Sequence, residues 1–154
     1  MSPSGSDSND GISEVSPFKT LNKAKNSTQP GDTVYIMDGV YRNSNYGNGL
    51  TSENGVAFYI NVSGDETNGP ITFKNYPGHS PKIQYDGSSG IGLASGVHHL
   101  VIEGLEIEGP AAAITYQMAI DNRIDNSTTG HASNYYNNRG IVGWGPHSAR
   151  DHAS

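Results

Sequence analysis

Residues 98–110, HHLVIEGLEIEGP, alternate apolar and polar side chains as a strand does, but the alternation changes phase midway. Leu100 and Ile102 hold even positions, Leu105 and Ile107 odd ones, and Glu103-Gly104 lies between. A continuous strand with one buried face forbids this, because a one-residue slip sends every apolar side chain to the opposite face. Two short strands joined by a sharp corner satisfy it when both point their apolar residues into the same interior. A fold that turns inside its strands is therefore required.

Other runs share the short half-buried pattern: TVYIMDGVY, VAFYINV, ITFKNYP, KIQYDG, IGLAS and RGIVGWG, each ended by Gly, Asn or Pro. Val56, Phe58, Ile60 and Val62 repeat with period two, as do Ile71 with Phe73 and Ile83 with Tyr85. No run is linked to the next by the Asn-Gly turn of a two-residue hairpin. Ile71 to Ile91 spans 20 residues and Ile83 to Ile102 spans 19. A period near this length, with corners, fits coils stacked along an axis, a parallel β-helix, with Ile71 expected beside Ile91 and Ile83 beside Ile102. A β-sandwich also alternates, but its strands are joined by loops rather than by a corner. The 20 Gly and 15 Asn suit such corners.

Upstream, residues 1–16 are mainly Ser, Gly, Asp and Asn and are expected as an extended lead-in. SPFKTLNKAKNST then predicts a helix with Ser16 as N-cap, Pro17 in first position, and Phe18, Leu21 and Ala24 on one face. Residues 17–154 are expected to form the N-terminal part of a single β-helix domain, interrupted by an insertion at about 110–139. The C-terminal ARDHAS is not an apolar strand, so a truncated or frame-damaged end is expected after Ser148. The last coil, with Ile141 and Val142, is then expected to lack a cover and to support self-association.

Charged residues make up only 16%, so the low hydrophobic content, 33%, does not come with the high net charge of disordered chains. A net charge of −6 without a basic run argues against nucleic acid, and no stretch is long and apolar enough to span a bilayer. An acidic polysaccharide would need a local basic patch. There are no cysteines, and the first residues lack the apolar stretch of a signal peptide, so the protein is expected either to be cytosolic or to have its export signal outside this chain.

GSDSNDG…SPFKTLNKA…PGDTVYIMDGVY, then GPITFKNYPGHSPKI, then HHLVIEGLEIEGP resemble the N-terminal section of secreted right-handed parallel β-helix proteins. That superfamily includes pectate lyases and the chondroitinase-B and alginate-lyase group. The resemblance implies an all-β, right-handed parallel β-helix of about three coils with an N-terminal capping helix. It implies an extracellular or cell-envelope parent protein, a lyase-type enzyme acting on uronate-containing glycans. In such lyases Ca²⁺ or other positive groups neutralise the uronate carboxylate while a Lys or Arg removes the C5 proton. Those residues sit mostly on later coils, so no catalytic residue is transferred to this chain, which is expected to be inactive alone. The alternative is a non-catalytic β-helix that binds glycans as a surface or adhesion module.

Candidate substrate-binding residues lie in and beside the insertion: Tyr116, Arg123, Tyr135, Tyr136, Arg139 and Trp144. Aromatic faces stack on sugar rings and Arg grips carboxylates bidentately, which suits an acidic oligosaccharide. Packing of the tyrosines onto the coil is the bland alternative. Asp7, Asn9 and Asp10 could offer oxygens to a cation, although an Asx-rich turn explains DSNDG as well. His98 and His99, read as strand neighbours, would point to opposite sides and could not share a metal. Glu103, Glu106 and Glu108 fall on the outer wall without an evident basic partner and read as solvated.

Overall fold

The computed structural model describes residues 1–44, 46, 56–86 and 89–109, together with the backbone of 139–143. Among these residues one helix, α1 (Leu21–Asn26), precedes nine strands: β1 (Thr33–Ile36), β2 (Val40–Arg42), β3 (Val56–Ile60), β4 (Ile71–Asn75), β5 (Lys82–Gln84), β6 (Ser89–Leu93), β7 (Leu100–Glu103), β8 (Glu106–Glu108) and β9 (Arg139–Gly143). They form three sheets, β1-β4-β7, β2-β5-β8 and β3-β6-β9, in which every named pairing is parallel. Each coil contributes one strand to each sheet, and the architecture is the expected right-handed parallel β-helix with a small N-terminal helix.

The phase change at Glu103-Gly104 is the corner between β7 and β8, with Gly104 at φ +68°. TVYIMDGVY contains the same device, since it breaks into β1 and β2 around Gly39 at φ +137°. Both turns put a positive φ where only glycine avoids steric strain.

The interior is built of columns that climb from coil to coil. Val34 pairs with Phe73 and Phe73 with Ile102; Tyr41 pairs with Ile83 and Ile83 with Ile107; Phe58 pairs with Ile91. Ile36, Ile60, Phe73, Ile83 and Ile91 are fully buried, and each such side chain contributes about 1.5–3 kcal/mol relative to exposure. Tyr41 meets Phe58 edge to face at 5.7 Å and donates its hydroxyl to the Met37 carbonyl at 2.9 Å. Burial pushes its phenol well above the ordinary tyrosine range.

The coil length differs from the expectation. Ile71 pairs with Leu100 and Ile83 with Ile107, not with Ile91 and Ile102. Ile71 and Ile91 lie on different sheets of one coil, so the spacing near 20 measures progress around a coil rather than along the axis. From Thr33 to Thr72 a coil takes 39 residues, and from Lys82 to Glu106 it takes 24. Ladder hydrogen bonds fix strand register alone, and corners accept extra residues on the outside at little entropic cost.

The helix also begins later than expected. Its N-cap is Thr20, which accepts from Lys23 N, rather than Ser16. Pro17 and Phe18 are held out of helical geometry because their carbonyls accept Ser6 N and Ser2 N at 3.1 and 2.9 Å. Residues 1–16 are accordingly a succession of turns laid against the coil rather than an extended lead-in, and Met1 and Ser2 are buried. Leu21 and Ala24 enter the core with Phe18 packed against it, so α1 covers the first end of the stack. The expected uncovered C-terminal end falls outside the described residues. Among those described, no helix is long and apolar enough to cross a membrane.

Candidate functional site

Strand alternation throws Arg42, Lys82, Gln84, Glu106 and Glu108 onto the outer face of the β2-β5-β8 sheet. Register stacks Arg42, Gln84 and Glu108 in one row and sets Lys82 beside Glu106 in the other. Arg42 Nε donates to Gln84 Oε1 at 2.7 Å, and Gln84 Nε2 donates to Glu108 Oε1 at 2.7 Å. Lys82 Nζ reaches Glu108 Oε2 at 2.6 Å and Glu106 Oε1 at 3.2 Å. On the neighbouring sheet Lys74 holds Glu103 at 2.7 Å. The three glutamates thus have basic partners, contrary to the solvated reading. Each partner comes from the coil below, which cannot be seen without the register.

The hydrogen bond from Lys82 holds the Glu108 carboxyl below the ordinary range, and the bonds to Glu108 and Glu106 raise the Lys82 ammonium above its own. The depressed carboxyl contributes stability that is present above the unfolded carboxylate value of 4.5 and lost as pH falls through the folded value. The raised ammonium contributes stability that is present below 10.5 and lost as pH climbs through its folded value. An NMR titration of the Glu108 carboxyl carbon should therefore give a midpoint below 4.5. Lys82→Met should return that midpoint toward the ordinary value, and an unchanged midpoint would mean the pair does not persist in water.

At the lower end of this row, Arg42 enters a groove of about 530 Å³ between α1 and the first coil. The described lining includes Lys19, Lys25, Arg42, Tyr59 and Val40, and holds no carboxylate. Lys25 is buried, its ammonium donates to the Tyr59 carbonyl at 2.9 Å, and it sits 5.2 Å from the Tyr59 ring centre. Burial lowers its pKa. Tyr59 is 43% exposed and Val40 45% exposed, so the groove offers an aromatic face and an apolar edge among cations. Arg42 lies 4.7 Å from the Tyr46 ring centre. A second groove of similar size, about 560 Å³, runs along the other side of α1 and has the opposite character, with Asp10, Glu14 and Asp32 in its lining and no Lys or Arg. In a chain of net charge −6, this groove is a local basic patch.

The sequence did not single out this groove, because its cations are scattered over Lys19, Lys25 and Arg42. Of the substrate-binding candidates, Tyr116, Arg123, Tyr135, Tyr136 and Trp144 lie outside the described residues. Arg139 is described by its backbone alone, in β9, paired with Ser89.

The side chains of Asp7, Asn9 and Asp10 are engaged in hydrogen bonds along the lead-in. Asp7 Oδ1 accepts Lys19 N and Thr20 N at 2.9 Å, and its Oδ2 accepts the Thr20 hydroxyl at 2.6 Å. Asn9 turns its amide nitrogen toward the Pro17 carbonyl, and Asp10 Oδ1 accepts Ser16 Oγ and Ile12 N. These side chains tie the lead-in to the start of α1. Among the described residues, no group of three or more His, Asp or Glu could hold a metal ion.

Comparison with known proteins adds three findings. The family described as "Pel9A-like, right handed beta helix region" matches residues 1–146. The uncharacterized protein YwoF of Bacillus subtilis (strain 168) is 28% identical over 148 residues, which cover 92% of this chain and 28% of that protein. A solved rhamnogalacturonan lyase is 29% identical with a TM-score of 0.52, covering 73% of this chain and 29% of its own. The chain therefore spans less than a third of either relative.

Proposed function

The chain belongs to the Pel9A-like right-handed β-helix family, which is polysaccharide-lyase-like, and on that premise we propose that it forms the N-terminal coils of an exported lyase acting on uronate-containing glycans. The observation that carries this reading is the likeness to rhamnogalacturonan lyase over 73% of the chain. The basic groove supports it locally. In this reading the first coils bind the acidic chain and the catalytic base and calcium belong to later coils, which leaves the isolated chain without lyase activity. Tyr59 offers a face for a sugar ring, while Lys19 and Arg42 meet carboxylates, with Arg42 able to do so through a planar guanidinium.

The isolated chain should bind polygalacturonate and rhamnogalacturonan more tightly than a neutral glucan, with affinity falling as salt rises. Lys19→Glu combined with Arg42→Gln should weaken binding to either acidic glycan at least fivefold. Equal binding to the neutral glucan, or indifference to both substitutions, would overturn the groove assignment. Formation of the unsaturated product by the isolated chain, followed by its ultraviolet absorbance, would overturn the placement of catalysis on later coils. A full-length protein that binds these glycans but never cleaves them would favour the non-catalytic, glycan-binding reading.

A further inference from the structure

His98 and His99 do not sit in a strand with their rings on opposite sides. They form the turn before β7, and His99 has φ +52°, the one non-glycine positive φ among the described residues. That backbone reverses the usual alternation and brings the two rings together, with Nδ1 to Nδ1 at 2.8 Å, ring centres at 5.0 Å and planes at 85°. Both residues are exposed. The turn is pinned on three sides: His98 N donates to Ser63 Oγ at 3.1 Å, and the His99 carbonyl accepts Gly64 N at 3.3 Å and Ile71 N at 3.0 Å. A left-handed residue other than glycine or asparagine costs stability, so the arrangement is held by these bonds rather than by local preference.

We propose that His98 and His99 form a two-nitrogen site for a divalent transition metal, Cu²⁺ foremost because nitrogen sites bind it most tightly among the first-row divalent ions. Two imidazole nitrogens about 2.0–2.1 Å from one ion stand about 2.8–3.0 Å apart at a right angle and about 3.3 Å apart at a tetrahedral one. The observed 2.8 Å is the hydrogen bond between the two rings, and it already brings both nitrogens within reach of a single ion. Without metal, the pair at this distance shares one proton as an N–H···N hydrogen bond. An ion replaces that proton once the donor ring carries its hydrogen on Nε2 and both rings rotate to aim their lone pairs at a common point. Water fills the remaining positions.

Titration of the full chain with Cu²⁺ alone, in a non-coordinating buffer at pH 7.5, tests the assignment. One ion should bind per chain, with nitrogen splitting in the electron paramagnetic resonance spectrum that reports two imidazoles. His98→Asn and His99→Asn should each weaken binding at least tenfold. His99→Gly should do the same while keeping the turn, because glycine adopts φ +52° freely, so loss of binding in that folded variant separates ligation from misfolding. Zn²⁺ should bind at least tenfold more weakly than Cu²⁺. Binding and spectra unchanged in the substituted chains would overturn the site, and equal affinity for Zn²⁺ would overturn the preference for Cu²⁺.

Discussion

Replacing Phe73 with alanine should cost about 3–5 kcal/mol of folding stability, the usual range for emptying a well-packed aromatic site. Phe73 is fully buried and stands in the middle coil, registered with Val34 below and Ile102 above. In a stack each coil is supported only by its neighbours, so a void in the second coil weakens both of its interfaces at once. Urea unfolding of parent and variant measures the difference. A loss below about 1 kcal/mol would mean that the column collapses around the void or that the interior is less tightly packed than these contacts imply. Phe73→Leu, which keeps most of the volume, should lose much less.

Substituting Gly104 with alanine should be nearly as damaging, although it adds one methyl group at a corner rather than removing a ring. Two costs combine. The residue sits at φ +68°, where a side chain costs about 1–2 kcal/mol. The new Cβ would also overlap the side-chain amide of Asn75, which lies one coil below, and relieving such overpacking typically costs about 1–3 kcal/mol. Asn75 cannot simply turn away, because its Nδ2 donates to the His79 carbonyl at 3.0 Å and helps shape the corner between β4 and β5. A double-mutant cycle separates the two costs. In an Asn75→Ala background, Gly104→Ala should lose only the backbone part. If the glycine substitution costs the same with and without Asn75, the two corners do not touch and the stacking of corner on corner is wrong.

These two residues also mark the difference between what local pattern and long-range pairing contribute. Alternation is a property of neighbours in sequence, so the strands, the apolar identity of Phe73, Ile83 and Ile91, and the corner at Glu103-Gly104 could all be read directly. So could the need for a helical cover, since Leu21 and Ala24 repeat on one face, although the helix starts at Leu21 because lead-in bonds to Pro17 and Phe18 outcompete their helical propensity. Motif resemblance supplied the handedness and the family. The coil length was not legible, because the ladders constrain strands and leave corners free to vary, so a spacing near 20 within one coil imitated an axial repeat. The site followed the same division. Outward Lys82, Glu106 and Glu108 were visible as outer-wall residues, but their pairing required register between coils. The basic groove required Lys19 from before the helix, Lys25 from within it and Arg42 from β2 to meet in space. His98 and His99 were read as opposed because strand geometry was assumed, and a single left-handed backbone turn, held by Ser63, Gly64 and Ile71, brought them together. Sequence alone thus determined which segments turn, alternate and hide. Tertiary structure decided which polar groups meet, because those meetings depend on hydrogen-bond register across tens of residues, where no local preference acts.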